Sequence, residues 1–350
     1  MLPMNDSKKA FVPKYRQIFD LIKEGIHTYK YPPGSKVESI TEIQKKYSVS
    51  RETAKLVLKL LAQEGLIIQK TGKGSFVADL GPRKKIWGMI LPYVVPNIEQ
   101  LIHFLRKEAK SFGREFHYYL NYNNPEEEQR LVGNLIHEAY EAIIVVPVFN
   151  EAETAEFYQK LVTGSTKLIL ADHTMAGSHF RYVIQSYDLG VKRAVTYFAE
   201  QSKGNLLFIR DKSLPGYNMV QDFMEGSFAN YAEFLCAGRE VYYIDRLDEF
   251  SAEFIQEKQL GGVFCPNDMI AARVLGRIKS WGISIPNDVN VVSYGNTELA
   301  AFFTPAITSV DGFHDQMAGK ISTLIQTLLA DKEPDNSQQV ILPELIVRET

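Results

Sequence analysis

The chain has only two cysteines, Cys236 and Cys265, among 350 residues. That is too few for a disulfide framework or a zinc-ligand pattern, and both read as reduced core residues. No apolar run approaches the roughly 18 uninterrupted residues that a membrane span needs. The opening segment, MLPMNDSKKA, lacks the apolar stretch of a secretory leader. The expectation is a cytoplasmic protein with no membrane partner. Catalytic signatures are missing too: no G-x-S-x-G elbow, no P-loop and no dinucleotide fingerprint. His103, His117, His137, His173, His179 and His314 are scattered, which suits surface or structural roles better than catalysis. Neither an enzyme nor a cofactor or metal site is expected. Internal repeats and low-complexity tracts are also absent.

What is present points to more than one domain. With 45% apolar and 11% aromatic residues, the chain can bury two or three cores at this length. The net charge of −3 hides a polarity. Residues 1–85 carry 17 Lys and Arg against 8 Asp and Glu, which leaves 22 against 34 for the rest. A basic module on an acidic body suggests that only the first part meets a polyanion.

The N-terminal pattern reads helix, helix, helix, hairpin. Tyr15, Ile18, Phe19, Ile22 and Ile26 form one apolar face of a first helix, which Tyr31-Pro32-Pro33-Gly34 stops. Ser39 opens a short second helix with Glu42 as its capping-box partner. Ser48-Val49-Ser50 is a turn, and Ser50 caps a third helix that turns Ala54, Val57, Leu58 and Leu61 inward and ends at Gly65. Two short apolar strands, LIIQ and SFVA, flank Lys70–Gly74 and form a β-wing. The third helix presents Ser50, Arg51, Thr53 and Lys55 at its start, where a recognition helix reaches base edges in the major groove. Arg51 suits a bidentate guanine contact. Lys73, between Gly72 and Gly74, suits the phosphate backbone or the minor groove.

Beyond a basic linker the texture changes to alternating strands and helices. IWGMIL, EFHYYL, AIIVVPV, KLILA, YVIQS, NLLFI, EVYYI, GGVFC and VNVVSY are strand candidates with amphipathic helices between most of them. That alternation implies parallel sheets with right-handed crossovers, and the length fits two α/β lobes around a cleft. Pro266-Asn267-Asp268 falls where a strand delivers polar groups to a helix start, the usual ligand edge of open α/β sheets. Asp268 there is either a hydroxyl acceptor for a ligand or a helix N-cap.

PPGSKV, VSRETAKLVLKLLAQEGLI and TGKGSFVA, in this order, resemble the winged helix-turn-helix of the GntR family over about residues 12–78. The resemblance implies DNA contacts at Ser50, Arg51, Thr53, Lys55, Gly72, Lys73 and Gly74, with Ser39 and Thr41 at the start of the second helix. Thr41 stands where the family usually carries a DNA-reaching arginine, so the operator is expected to differ. The segment from Gly262 to Thr308, with its Asn-Asp pair, IPNDVNVVSYGN and FFTPAITSV, resembles a LacI-type sensor of the periplasmic-binding-protein type I fold. Carried over, this implies ligand contacts at Tyr93, Asp172, Asp268 and Asn296. Phe223 occupies the place of a ligand-clamping arginine, which removes a fork of donors and supplies an apolar wall; Arg210 is a possible substitute.

The expected architecture is multidomain: a winged helix-turn-helix (α+β) at 1–80, a linker at 81–86 and a two-lobed α/β effector domain at 87–350. The expected function is a ligand-responsive repressor of carbohydrate-utilisation genes. It would bind double-stranded operator DNA as a homodimer and respond to a neutral monosaccharide such as a pentose or deoxyhexose. A purine-type effector is the alternative, since the fold does not choose the ligand.

Overall fold

In the computed structural model the described residues are 12–27, 30–78, 84–148, 157–158, 166–174, 180–210 and 218–350. The head comprises α1 (Lys14–His27), α2 (Ile40–Tyr47), α3 (Arg51–Gln63), β1 (Ile67–Lys70) and β2 (Gly74–Val77). Its helix boundaries are set by local chemistry. Ser39 and Glu42 form the reciprocal capping box of α2, and Ser50 accepts the Thr53 amide to cap α3. Ile18, Phe19 and Ile22 of α1 meet Ile43 of α2 and Ala54, Val57, Leu58 and Leu61 of α3 in a core separate from the rest of the molecule. Each of the larger side chains contributes roughly 1.5–3 kcal/mol by leaving water. β1 and β2 pair antiparallel, and a bridge from Lys36 to Phe76 lays the α1–α2 connection along the wing.

Two six-stranded sheets form the rest. The first includes β3 (Lys84–Leu91), β4 (Glu115–Leu120), β5 (Tyr140–Val145), β6 (Lys167–Asp172) and β7 (Tyr182–Gln185). Its helices are α4 (Pro96–Ser111) and α5 (Pro125–His137). After α6 (Tyr187–Gln201) comes the second sheet, with β8 (Asn205–Ile209), β9 (Val241–Ile244), β10 (Leu260–Cys265), β11 (Asn290–Tyr294) and β12 (Thr308–Asp311). Its other helices are α7 (Asn218–Leu235), α8 (Ala252–Glu257), α9 (Asp268–Ser280) and α10 (Glu298–Phe302). Helix α11 (His314–Leu329) and β13 (Gln338–Ile341) then return to the first lobe, and β14 (Glu344–Ile346) closes the second. The orders are β13-β7-β6-β5-β3-β4 and β14-β12-β11-β10-β8-β9, parallel except for β14 against β12. This is the expected two-lobed α/β fold.

The chain crosses between lobes at Ser186, at Gly312-Phe313 and at Leu342-Pro343. Three crossings make a hinge rather than a single tether. β3 begins at Lys84, inside the expected 81–86 linker, while residues 79–83 lie outside the described residues. The final strands β12, β13 and β14 were not among the sequence candidates; they are only three or four residues long, and β13 pairs with β7 more than 150 residues earlier in the chain. Cys236 and Cys265 are buried free thiols, and burial pushes both above the usual thiol range. No helix among the described residues is long and apolar enough to cross a membrane.

Candidate functional site

On the head, the inward face of α3 is consumed by the core, so its start is what remains outside. Arg51 and Lys55 are exposed there and Thr53 is half-buried. The Ser50 and Thr53 hydroxyls hydrogen-bond each other at 2.9 Å while Ser50 also caps the helix. Lys55 reaches Glu52 at 2.9 Å, a solvent-exposed pair of small energetic weight that a phosphate can replace. Thr41 is exposed in the first turn of α2, two residues after the Ser39 cap. On the wing, Gly72 (φ 70°) and Gly74 (φ 113°) hold Lys73 at an exposed tip. A methyl built at Gly74 would lie 2.8 Å from Lys36 Cε, so the wing and Lys36 approach closely. Lys36 is therefore a further cation on this face. It lies in the PPGSKV motif, but only the bridge to Phe76 brings it to the wing.

In the two-lobed domain the polar groups gather where strands end. Asp172 closes β6 with φ 70° and is 3% exposed. Its Oδ1 accepts Gln185 Nε2 at 2.6 Å and the Tyr187 hydroxyl at 2.8 Å, and His173 Nδ1 lies 3.3 Å from Oδ2. Burial pushes this carboxyl upward, but the hydrogen bond and charge of His173 and the Gln185 amide outweigh it and hold Asp172 below the usual range. Tyr187 opens α6, so the carboxylate of one lobe is bonded to the other. Gln185 Oε1 in turn accepts the Tyr294 hydroxyl at 2.9 Å.

Asp268 is the first residue of α9 and 1% exposed; its neighbour Asn267 is the N-cap, accepting the Ile270 amide at 2.9 Å. Asp268 Oδ1 accepts from the Ser293 and Ser309 hydroxyls, and Oδ2 from the Thr297 amide (2.6 Å) and hydroxyl (2.7 Å). The carboxylate thus ties α9 to the ends of β11 and β12. Asn296 sits in the left-handed region at φ 46°. Its Nδ2 donates to Asp311 at 2.8 Å and its Oδ1 accepts Arg348 at 2.6 Å. Across the lobes, Gln100 Nε2 of α4 approaches the Asn296 carbonyl at 3.5 Å. The start of α4 and the loop after β11 therefore face each other over the cleft. Tyr93 lies against Tyr122 edge-on at 6.3 Å and donates its hydroxyl to the Tyr122 carbonyl at 3.2 Å.

Residues 14–77 match the bacterial regulatory proteins of the gntR family, and residues 215–350 match the periplasmic binding protein-like domain. The chain joins a GntR-type DNA-binding domain to a periplasmic-binding-protein-like domain. Over 98% of its length it is 24% identical to the arabinose metabolism transcriptional repressor of Halalkalibacterium halodurans, of which 96% is covered. Over 97% it is 22% identical to the repressor of the same description from Geobacillus stearothermophilus, of which 98% is covered. Among solved structures it superposes with a TM-score of 0.60 on a periplasmic binding protein/LacI transcriptional regulator from Alkaliphilus metalliredigens complexed with D-xylulofuranose. That match has 18% identity and covers 76% of this chain and 99% of the other, and it speaks for the fold.

Within the binding-protein-like domain, Asp172 and Asp268 stand on opposite lobes, each embedded in its own hydrogen-bond cluster. Phe223 is 55% exposed on α7. Arg210, at the end of β8, pairs with Glu225, reaches Asp245 at 3.0 Å and lies over the Tyr243 ring at 5.0 Å. Residues that sequence reasoning did not select include Gln185, Tyr187, Tyr294 and Arg348, which complete the clusters from distant positions. Glu128 of α5 is another: it is buried and accepts Asn121 Nδ2 (2.7 Å), the Val148 amide (2.8 Å) and the Tyr158 hydroxyl (2.7 Å). Burial pushes its carboxyl up to about 7 against the pull of those donors. Among the described residues no group of His, Cys, Asp and Glu could hold a metal ion.

Proposed function

We propose that this chain is a cytoplasmic operator-binding repressor, not an enzyme, which controls genes for pentose utilisation of the arabinose type. The observation that carries the reading is the end-to-end likeness to two arabinose metabolism repressors, spanning head and two-lobed domain together. Supporting it, the head leaves a basic, polar helix start and a lysine-tipped wing in solvent, the arrangement that fits the major groove and an adjacent phosphate backbone. The cleft carries Asp and Asn side chains with tyrosines nearby, a mixture suited to hydroxyl groups and C–H faces of a sugar. Arg210 is already committed to two carboxylates, which fits a neutral rather than a phosphorylated ligand. Sugar binding that closes the lobes would favour one placement of two heads in a homodimer over another, which is allostery through differential affinity.

The test is operator release. Duplexes selected from a random pool by the protein are labelled, and binding is followed by anisotropy against L-arabinose, D-xylose, arabinose 5-phosphate and hypoxanthine. The expected outcome is release by a neutral pentose at millimolar concentration or below. Response to hypoxanthine alone, or to the phosphorylated sugar alone, overturns the effector class. Failure to select any duplex overturns the operator-binding reading itself.

A further inference from the structure

The first lobe contains a buried imidazole with nothing to bond. His314 opens α11 immediately after the Gly312-Phe313 hinge crossing and is 2% exposed. Neither Nδ1 nor Nε2 has a hydrogen-bond partner. Its surroundings are polar: Asp172, Asp311 and Asp315 all act on it electrostatically, although burial dominates and holds it below the usual histidine range. A methyl built at the hinge glycine Gly312 would lie 2.3 Å from Gln185 Oε1 and 3.5 Å from His314 Cε1. The imidazole is thus a neighbour of the cluster that ties Asp172 across the lobes. Gln185 is engaged elsewhere and does not bond it: its amide goes to Asp172 and Tyr187 and its carbonyl takes the Tyr294 hydroxyl.

A second orphan lies on the neighbouring helix. Asn97, 6% exposed in the first turn of α4, has no partner for Oδ1. It faces the second lobe, because a methyl built at Gly295 would lie 3.8 Å from Asn97 Cβ. Helices α4 and α11 pack side by side in one core. Two buried, unpaired polar side chains therefore stand where these two helices begin.

Leaving a buried donor or acceptor unpaired is costly, and native structures rarely do so without a ligand or water to meet it. A neutral imidazole presents one donor and one acceptor, and a sugar hydroxyl can answer either one. We infer that His314 is an effector-contacting residue at the hinge side of the cleft, bonding a hydroxyl of a neutral sugar and thereby selecting for it. The inference rests on the proposed reading of the cleft as a sugar site. It adds a residue at the moving hinge itself, so ligand contact and lobe closure share one side chain.

The test uses the full chain with His314→Leu, which removes both nitrogens at similar volume, and His314→Gln, which keeps a donor and an acceptor. Wild type is first screened by thermal shift against L-arabinose, D-xylose and D-ribose, and the best pentose is titrated by calorimetry. The expected result for His314→Leu is sugar affinity weaker by about tenfold or more, with the sugar-free melting temperature equal to or above wild type. His314→Gln should recover affinity to within roughly threefold of wild type. A His314→Leu variant that binds within twofold of wild type overturns the inference. So does a lowered sugar-free melting temperature, the mark of a structural histidine. If no pentose shifts wild type, the sugar reading of the cleft fails first, and the inference falls with it.

Discussion

Asp268 and Glu128 are both buried carboxyls, yet their surroundings set them different tasks. Asp268 receives four donors from Ser293, Ser309 and Thr297, which makes it a clasp between β11, β12 and α9. Glu128 receives three donors but is driven up to about 7 by burial. With its folded value raised above the unfolded one, its contribution to stability is full below about pH 4.5 and is lost as pH rises through about 7. The loss amounts to about 3 kcal/mol, at 1.36 kcal/mol for each unit between the two values. Glu128→Gln keeps a carbonyl for Asn121 and Val148 and an amide for the Tyr158 oxygen, so it retains the bonds without the charge. Urea unfolding across pH 4.5 to 8 should show the two proteins similar at the acid end, the Gln variant gaining a growing advantage between about pH 4.5 and 7, and a constant advantage above that. A difference that stays flat with pH contradicts the assignment.

At the scale of the element, the recognition helix was readable because its determinants are local. Ser50 caps it, the apolar spacing of Ala54, Val57, Leu58 and Leu61 orients it, and what is left over at its start points to solvent. Capping and periodicity act within a few residues of each other, so α2 and α3 appear in the structure where the sequence placed them. The same locality separates two proposed DNA-facing roles. Arg51 heads an exposed helix turn, whereas Lys73 tips a two-glycine wing. Arg51→Ala should reduce discrimination between selected and scrambled duplexes by roughly 1–3 kcal/mol. Lys73→Ala should weaken both duplexes alike and lower the salt dependence of binding. Anisotropy at fixed salt reads both, and an unchanged selected-to-scrambled ratio for Arg51→Ala removes it as a reader of sequence.

At the scale of the whole molecule, α1 of the head packs beside α5 of the first lobe across a polar seam. Asp20, Lys23 and Glu24 line one side, and Asn124, Glu126 and Arg130 the other. An interface of this character resembles a transient contact between domains rather than a shared core, and the head keeps an apolar core of its own. One head offers few base contacts, so useful specificity calls for two on two half-sites. We propose that pairing through the two-lobed domain meets that need and leaves the heads to move. Residues 84–350 should then sediment as a dimer and residues 12–78 as a folded monomer. The reverse result moves the dimer contact to the head.

The head, its caps and the alternating strands were decided by the sequence alone, since capping and apolar spacing act between neighbours a few residues apart, and the two-lobed class followed from that alternation and the chain length. The family resemblance also nominated Asp172, Asp268 and Asn296 from strand-end motifs. What surrounds those side chains was decided only by the tertiary structure. Asp268 meets Ser309 from 41 residues away, Asn296 meets Arg348 from 52 away and Gln185 meets Tyr294 from 109 away. His314 likewise looked like one more scattered histidine until the hinge buried it without a partner. Whether a buried polar atom is satisfied depends on segments that meet only when the lobes fold and cross, and no local pattern encodes that meeting.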